Sequence, residues 1–190
     1  MRYDPPMPTH AALLRGINVG GRNTVVMADL RALLTTLGHT EVATYVASGN
    51  VVFTTDAEDP DALAATIERA ITDELRIEAP VVVVPRDDFE RIVAANPFPE
   101  PDDPRHVHVV FRSGQPTGAE VEAVAAAQRE AVAGGSRDEA RYVDRTLYLC
   151  TPDGFGRSRL AELLNRGPAL RNATARNLRT VLRLRDMLDG

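Results

Sequence analysis

The 190-residue sequence has no lysine, no tryptophan and a single cysteine, Cys150. One cysteine excludes an intramolecular disulfide and any metal site built from several thiolates. Cys150 ends an apolar strand pattern, which predicts a buried, inert thiol and not a nucleophile. Without tryptophan, and with only four Tyr and five Phe, a nucleic-acid surface would lack the aromatic platforms on which bases stack. No apolar run approaches the roughly 18 residues of a membrane-spanning helix. The opening stretch, Met1 to Pro8, holds three prolines and no basic or apolar region of a signal peptide, so a cytoplasmic protein is expected.

All 22 basic residues are arginine, as arginine codon bias would give, and their distribution is uneven. Residues 1–140 carry 12 Arg against 22 acidic residues, a net charge of −10, while residues 141–190 carry 10 Arg against five, a net of +5. A basic final quarter on an acidic body predicts an anion-facing surface or an internal charge match. The 44% of hydrophobic residues is enough for a real core.

Two glycine-punctuated segments stand out, Ala12 to Gly21 (ALLRGINVGG) and Thr44 to Phe53 (TYVASGNVVF). Each sets an apolar strand against a loop of glycine, asparagine and a polar or charged side chain, and such loops let backbone N–H groups approach a ligand closely. The strand His10–Arg15 leads through the first loop into a helix with Met27, Leu30, Leu33, Leu34 and Leu37 on one face, closed by Gly38. Strands at Val42–Val46 and Val51–Thr55 flank a hairpin turn. Asp59-Pro60 opens a second helix faced by Leu63, Ile67, Ile71 and Leu75, and Pro80–Val84 is a further strand. This order, βαββαβ, is that of a ferredoxin-like sandwich. A connecting helix near Asp87–Ala95 precedes the proline-rich stretch 97–104, the expected linker between a subdomain over 9–96 and a second over 105–190. The second half restarts with a strand, His106–Phe111, then a capping box Thr117-Gly118-Ala119-Glu120, a hairpin across Asp144-Arg145, and a glycine-rich loop before the helix Arg159–Asn165. A last helix is expected over Thr174–Leu188, leaving this half one strand short. The fold class is therefore α+β in two subdomains, the second a variant of the first with a C-terminal helical extension.

Leu14 to Gly21, the run Met27-Ala28-Asp29-Leu30-Arg31, Thr44 to Phe53, Asn96-Pro97-Phe98, Gly156-Arg157-Ser158 and Thr174 to Asn177 together resemble the bacterial proteins grouped as domain of unknown function 1697. The resemblance runs over residues 10–188. One departure is that Leu178-Arg179 stand where those proteins usually have Trp-Asn. The resemblance implies two small α+β subdomains of ferredoxin-like character. It implies no substrate, cofactor or catalytic residue.

Arg15, Asn18, Gly20 and Gly21 lie between a strand and a helix, where loop amides and a helix N-terminus favour an anion. The Gly-Lys-Ser/Thr end of a Walker loop is absent, and the spacing is not that of a dinucleotide fingerprint. The simpler reading is a tight turn with Asn18 capping backbone groups. Ser48-Gly49-Asn50 is expected to be a hairpin tip whose Asn and Gly meet a demand for positive φ, with Ser48 or Asn50 able to contact a ligand. No Gly-x-Ser-x-Gly elbow or placed base accompanies Ser48, which argues against a nucleophile. His106 and His108 share a spacing that can serve a metal, but apart from the loop residues Asp102 and Asp103 no third ligand stands at a telling spacing, so no metal site is expected. Arg157 and Ser158 form a second possible anion cradle, with Ser158 the expected N-cap. On the expected last helix, Arg176, Arg179 and Arg183 form a stripe beside Asn177, with Arg157, Arg159, Arg166 and Arg171 nearby. Arg185 falls on its apolar side.

The function expected from the sequence is a binding module for a small phosphate- or carboxylate-bearing ligand, held in the cleft between subdomains by Arg15, Asn18, Gly20, Gly21, Ser48, Asn50, Arg157, Ser158, Arg176 and Asn177. No cofactor is expected. The alternatives are a nucleic-acid-associated protein using the arginine stripe, a protein–protein module, and an enzyme on a phosphorylated or acyl substrate.

Overall fold

The structure is a computed structural model that describes residues 7–98, 101–167, 170 and 172–190. The chain divides into two compact units, one running up to Arg91 and including Arg183–Gly190, the other Ile92–Leu182. Each contains a four-stranded antiparallel sheet with helices, and the two sheets repeat one topology.

The first unit begins with β1 (His10–Leu14), whose five residues are all buried. It continues with α1 (Met27–Thr36), β2 (Thr40–Tyr45), β3 (Asn50–Thr54), α2 (Pro60–Ala70) and β4 (Val81–Pro85). The strand order is β2-β3-β1-β4. β1 is central, pairing Ala12 with Val51 and, on its other side, with Val83. This is the split βαββαβ arrangement read from the sequence. Local signals set the helix ends: the Asp59 carboxylate accepts from the amides of Asp61 and Ala62 with Pro60 in the first turn, and Gly38 leaves α1 at φ 92°. Leu30, Leu34, Phe53, Leu63 and Ile67 pack with Leu14 and Val51 into one core, each worth about 1.5–3 kcal/mol of burial.

The second unit holds β5 (Val107–Arg112), α4 (Gly118–Ala133), β6 (Glu139–Val143), β7 (Thr146–Cys150), α5 (Arg159–Arg166) and β8 (Ala173–Asn177), with sheet order β6-β7-β5-β8. α3 (Arg86–Ala94) follows β4, and α6 (Leu178–Asp189) follows β8. The capping box of α4 is complete: Thr117 Oγ1 accepts from the Glu120 amide, and the Glu120 carboxylate accepts from the Thr117 amide at 2.7 Å. Val110, Leu147, Leu149, Leu160 and Leu164 form this unit's core with Val124 and Ala131.

The second unit does have its last strand. Residues Ala173–Asn177, of which Thr174–Asn177 are expected from the sequence as the first turn of a helix, form β8 paired antiparallel to β5, with Arg176 opposite Val109. The helix begins only at Leu178, and Asn177 Oδ1 accepts from the Thr180 amide at 2.9 Å as its cap. The physical reason is that β5 needs a partner on that side, and this pairing overrides the helix preference of Ala175 and Arg176. The second departure lies at the end of α2, where Ile71–Leu75 forms a π turn that exits through Arg76 at φ 59°.

Among the described residues, no helix is long and apolar enough to cross a membrane, and no group of three or more His, Cys, Asp or Glu is placed to hold a metal ion.

Candidate functional site

The two glycine-punctuated segments leave the same end of the first sheet, because β1 ends where the β2–β3 hairpin turns. Two kinds of contact join them. The Leu14 amide donates to Gly49 O at 2.8 Å. Asn18, in the left-handed region at φ 53°, uses its whole carboxamide: Oδ1 accepts from the Val25 amide at 2.9 Å, and Nδ2 donates to Val25 O at 3.0 Å and Ala47 O at 2.6 Å. Asn23 Nδ2 reaches Gly16 O at 3.2 Å and closes the loop on itself. Asn18 therefore does cap backbone groups, as the sequence predicts, and one of them belongs to the hairpin.

At the hairpin the left-handed seats are Val46 (φ 50°) and Gly49 (φ 78°). Asn50 was expected to fill such a seat; instead it is the first residue of β3, fully buried, with Nδ2 donating to Tyr45 O at 2.9 Å and to Ser48 Oγ at 3.0 Å. It braces the turn from beneath. Gly49 is required sterically, since a Cβ there would lie 2.7 Å from both Leu14 Cβ and Ile17 Cδ1. Gly20 and Gly21, at φ 58° and 75°, face open space, and Ser48 is exposed. Arg15 is half-buried and Arg22 exposed. The structure thus brings Arg15, Asn18, Gly20, Gly21, Ser48 and Asn50 together at one tip. Sequence reasoning passed over Arg22, whose signal was its place directly after the glycine pair.

The other four candidates belong to the second unit. Ser158 is the N-cap of α5, accepting from the Ala161 amide at 2.9 Å. Its hydroxyl donates to Asp138 Oδ2 at 2.8 Å, and that same oxygen accepts from the Leu160 amide at 3.4 Å. Asp138 is 3% exposed. The anion seat at the start of α5 is therefore filled by the chain's own carboxylate, which sequence spacing did not reveal because Asp138 lies 20 residues upstream. Arg157 is exposed beside Asp153, whose carboxyl is held below its usual range by Arg137 first and by Arg157 more weakly.

Arg176 does not share a helical stripe with Arg179 and Arg183. It lies on β8, 8% exposed, and donates to Thr174 Oγ1 at 2.7 Å and Ala175 O at 2.9 Å; burial pulls its guanidinium down to about 10. Of these three arginines, only Arg179 and Arg183 stand exposed on α6, and Asn177 is spent as the cap. Arg171 lies outside the described residues. Arg159 pairs with Glu130 and Glu162, Arg166 with Glu162, and Arg185 with Asp186. Much of the basic quarter is thus matched internally.

His108 is a buried residue of β5. It lies under the Phe155 ring at 4.1 Å between centroids, with Nδ1 buried and, among the described residues, unpartnered; burial first, and the charge of His106 second, push it down to about 4. Cys150, expected to be buried, is half-buried, and burial is the first cause that raises its thiol.

Comparison with known proteins agrees with this architecture. No curated protein matches the chain. Among solved structures, the chain is similar to the conserved bacterial protein SP0830 from Streptococcus pneumoniae, with 26% sequence identity and a TM-score of 0.68, over 96% of this chain and 99% of that one. The sequence model of the family described as protein of unknown function DUF1697 matches residues 7–148, and the chain belongs to that family.

Proposed function

We propose that the joined tip of the first unit binds a small phosphate- or carboxylate-bearing ligand. The observation that carries this reading is an internal comparison. Both units build the same sheet, yet the connection from first strand to first helix takes 12 residues in the first unit (15–26) and five in the second (113–117). The hairpin turn takes four residues (46–49) against two (144–145). The second unit shows that the topology does not require the added length. Both additions fall at one end of the first sheet, and Asn18 ties them to each other.

The charge at this tip supports an anion. Residues 15–28 contain Arg15 and Arg22 and no acid, and residues 44–55 contain no charge, in a chain of net charge −5. An anion at the tip would meet two guanidiniums, the open Gly20-Gly21 backbone and the Ser48 hydroxyl. These segments also contain no histidine, aspartate, glutamate or cysteine, so the tip lacks a ready acid, base or nucleophile, which favours binding over turnover.

The test is a melting-temperature screen of the full chain against inorganic phosphate, nucleotides, carboxylic acids, acyl-CoA compounds and short oligonucleotides at low and moderate salt. A ligand at a hundredfold excess over its Kd stabilises by about 2.7 kcal/mol, a shift of several degrees. The expected hit weakens in Arg15→Ala and Arg22→Ala. A hit unmoved by either variant would place the ligand elsewhere. A flat screen would refute anion binding and favour a protein partner.

A further inference from the structure

A second feature of the first unit is independent of its tip. Between α1 and the end of α2 lies an open groove of about 700 Å³, within the 300–1,000 Å³ usual for small-molecule sites. Its floor is apolar, from Leu33 of α1 and Leu37 just after it, with Ala70 and Leu75 across from them. The groove exists because α1 meets the second helical stretch mainly through the π turn, while Ala32 and Ala70 leave the space between unfilled. Single π turns recur at functional sites, where the widened turn re-aims side chains. Here the turn contributes Asp73, Glu74 and Leu75 to the groove wall.

The rim is acidic. Asp29 from α1 and Asp73 and Glu74 from the π turn stand against one guanidinium, Arg69, and among the described residues no ion pair engages any of the three carboxylates. Arg69 donates at 3.5 Å to Thr66 Oγ1, and Arg76, exposed just beyond, lies outside the lining. An apolar floor of this size under a rim of net charge −2 complements a molecule of opposite sign with an apolar body.

We infer that this groove binds an organic cation, an aliphatic or aromatic amine of roughly drug-fragment size. The apolar body lies over Leu33, Leu37 and Leu75, and the ammonium sits among Asp29, Asp73 and Glu74. The site would select against anions, so its ligand class is opposite to that of the tip.

The experiment maps amide chemical shifts of the ¹⁵N-labelled full chain during titration with n-octylammonium, n-octanol and octanoate, each below its aggregation threshold. Octylammonium is expected to move amides of residues 29–37 and 66–75, octanol to bind the same residues more weakly, and octanoate to leave them unmoved. Ala32→Leu fills the groove from an exposed helical position without removing a core side chain, and is expected to abolish binding. The double variant Asp73→Asn/Glu74→Gln is expected to lower octylammonium affinity roughly threefold to tenfold and leave octanol unchanged. Octanoate binding as well as octylammonium, shifts confined to other residues, or full binding by a folded Ala32→Leu protein would each overturn the assignment. Should Ala32→Leu fail to fold, equal octylammonium affinity in the charge variant overturns it alone.

Discussion

Replacing Gly49 with alanine tests whether the loop after β1 and the β2–β3 hairpin are locked together by contact or merely lie side by side. Two penalties combine at this position. The backbone sits at φ 78°, which costs an L-residue about 1–2 kcal/mol. The new Cβ would also lie 2.7 Å from Leu14 Cβ, an atom fixed on a buried strand, and 2.7 Å from Ile17 Cδ1. Ile17 can rotate aside but Leu14 cannot, so the site must shift, at an overpacking cost of about 1–3 kcal/mol. The sum is about 2–5 kcal/mol. Gly20 supplies the control: its φ is 58° with nothing within 4 Å of a Cβ, so Gly20→Ala meets only the backbone penalty of about 1–2 kcal/mol. Urea midpoints of the two variants, read by circular dichroism, give the steric part as a difference. A loss of about 3 kcal/mol also appears as a fall of roughly 6–12 °C in melting temperature. If Gly49→Ala costs no more than Gly20→Ala, the loop and hairpin are not in the contact described and the tip is not one body.

Three more outcomes are expected. The folded pKa of His108, about 4, lies below its ordinary value of about 6.5, so the unfolded chain binds the proton more readily. Its contribution of about 3 kcal/mol is complete above pH 6.5 and is lost as pH falls toward 4. His10 and His39, also lowered by burial, act in the same sense. Urea midpoints between pH 7.5 and 4.5 should therefore fall with pH, and should fall less in His108→Leu; an unchanged slope would refute this. Asp138→Ala strips the partner from Ser158 Oγ and the Leu160 amide, costing about 1–3 kcal/mol, whereas Ser158→Ala costs about 1 kcal/mol. A double-mutant cycle should show coupling between them, and strict additivity would argue against a shared cap. Val46 is a β-branched residue at φ 50° with half its surface exposed, so Val46→Gly should raise the urea midpoint by about 1 kcal/mol equivalent; a lowered midpoint would show that its side chain is needed.

Where a local rule decides an element, the sequence was legible. Asp59-Pro60, Thr117 with Glu120, and Ser158 each announce a helix start through a side chain that reaches its own backbone, and each does so in the structure. β8 was not legible because its cause is distant. Thr174 to Asn177 becomes a strand through pairing with β5, more than 60 residues earlier, and nothing in its own composition separates it from the helix that follows. Reading Asn177 as a cap and not as helix interior would have found the boundary. The π turn is hidden for another reason: Leu63, Ile67, Ile71 and Leu75 keep a four-residue spacing through it, so periodicity does not register the wider turn. At the candidate site, the two segments were visible as motifs, and their joining by Asn18 was not, since a carboxamide does not declare which carbonyl it will reach. Asp138 shows the same limit, as a buried carboxylate capping a helix whose start lies 21 residues on.

The make-up of the first unit bears on the order in which the protein can be built. Residues Arg183–Gly190 belong to that unit, yet they follow the whole of Ile92–Leu182 in the chain. A ribosome working from the N-terminus releases β1 to β4 first and their last companions only after the second unit has been made. During that interval the N-terminal half is an unfinished body, missing the segment that carries the buried Leu184 and Leu188, and is at its most exposed to chaperones and proteases. The half that begins first is completed last, and a nonsense change near codon 183 would damage the N-terminal unit although every residue of its sheet had already been made.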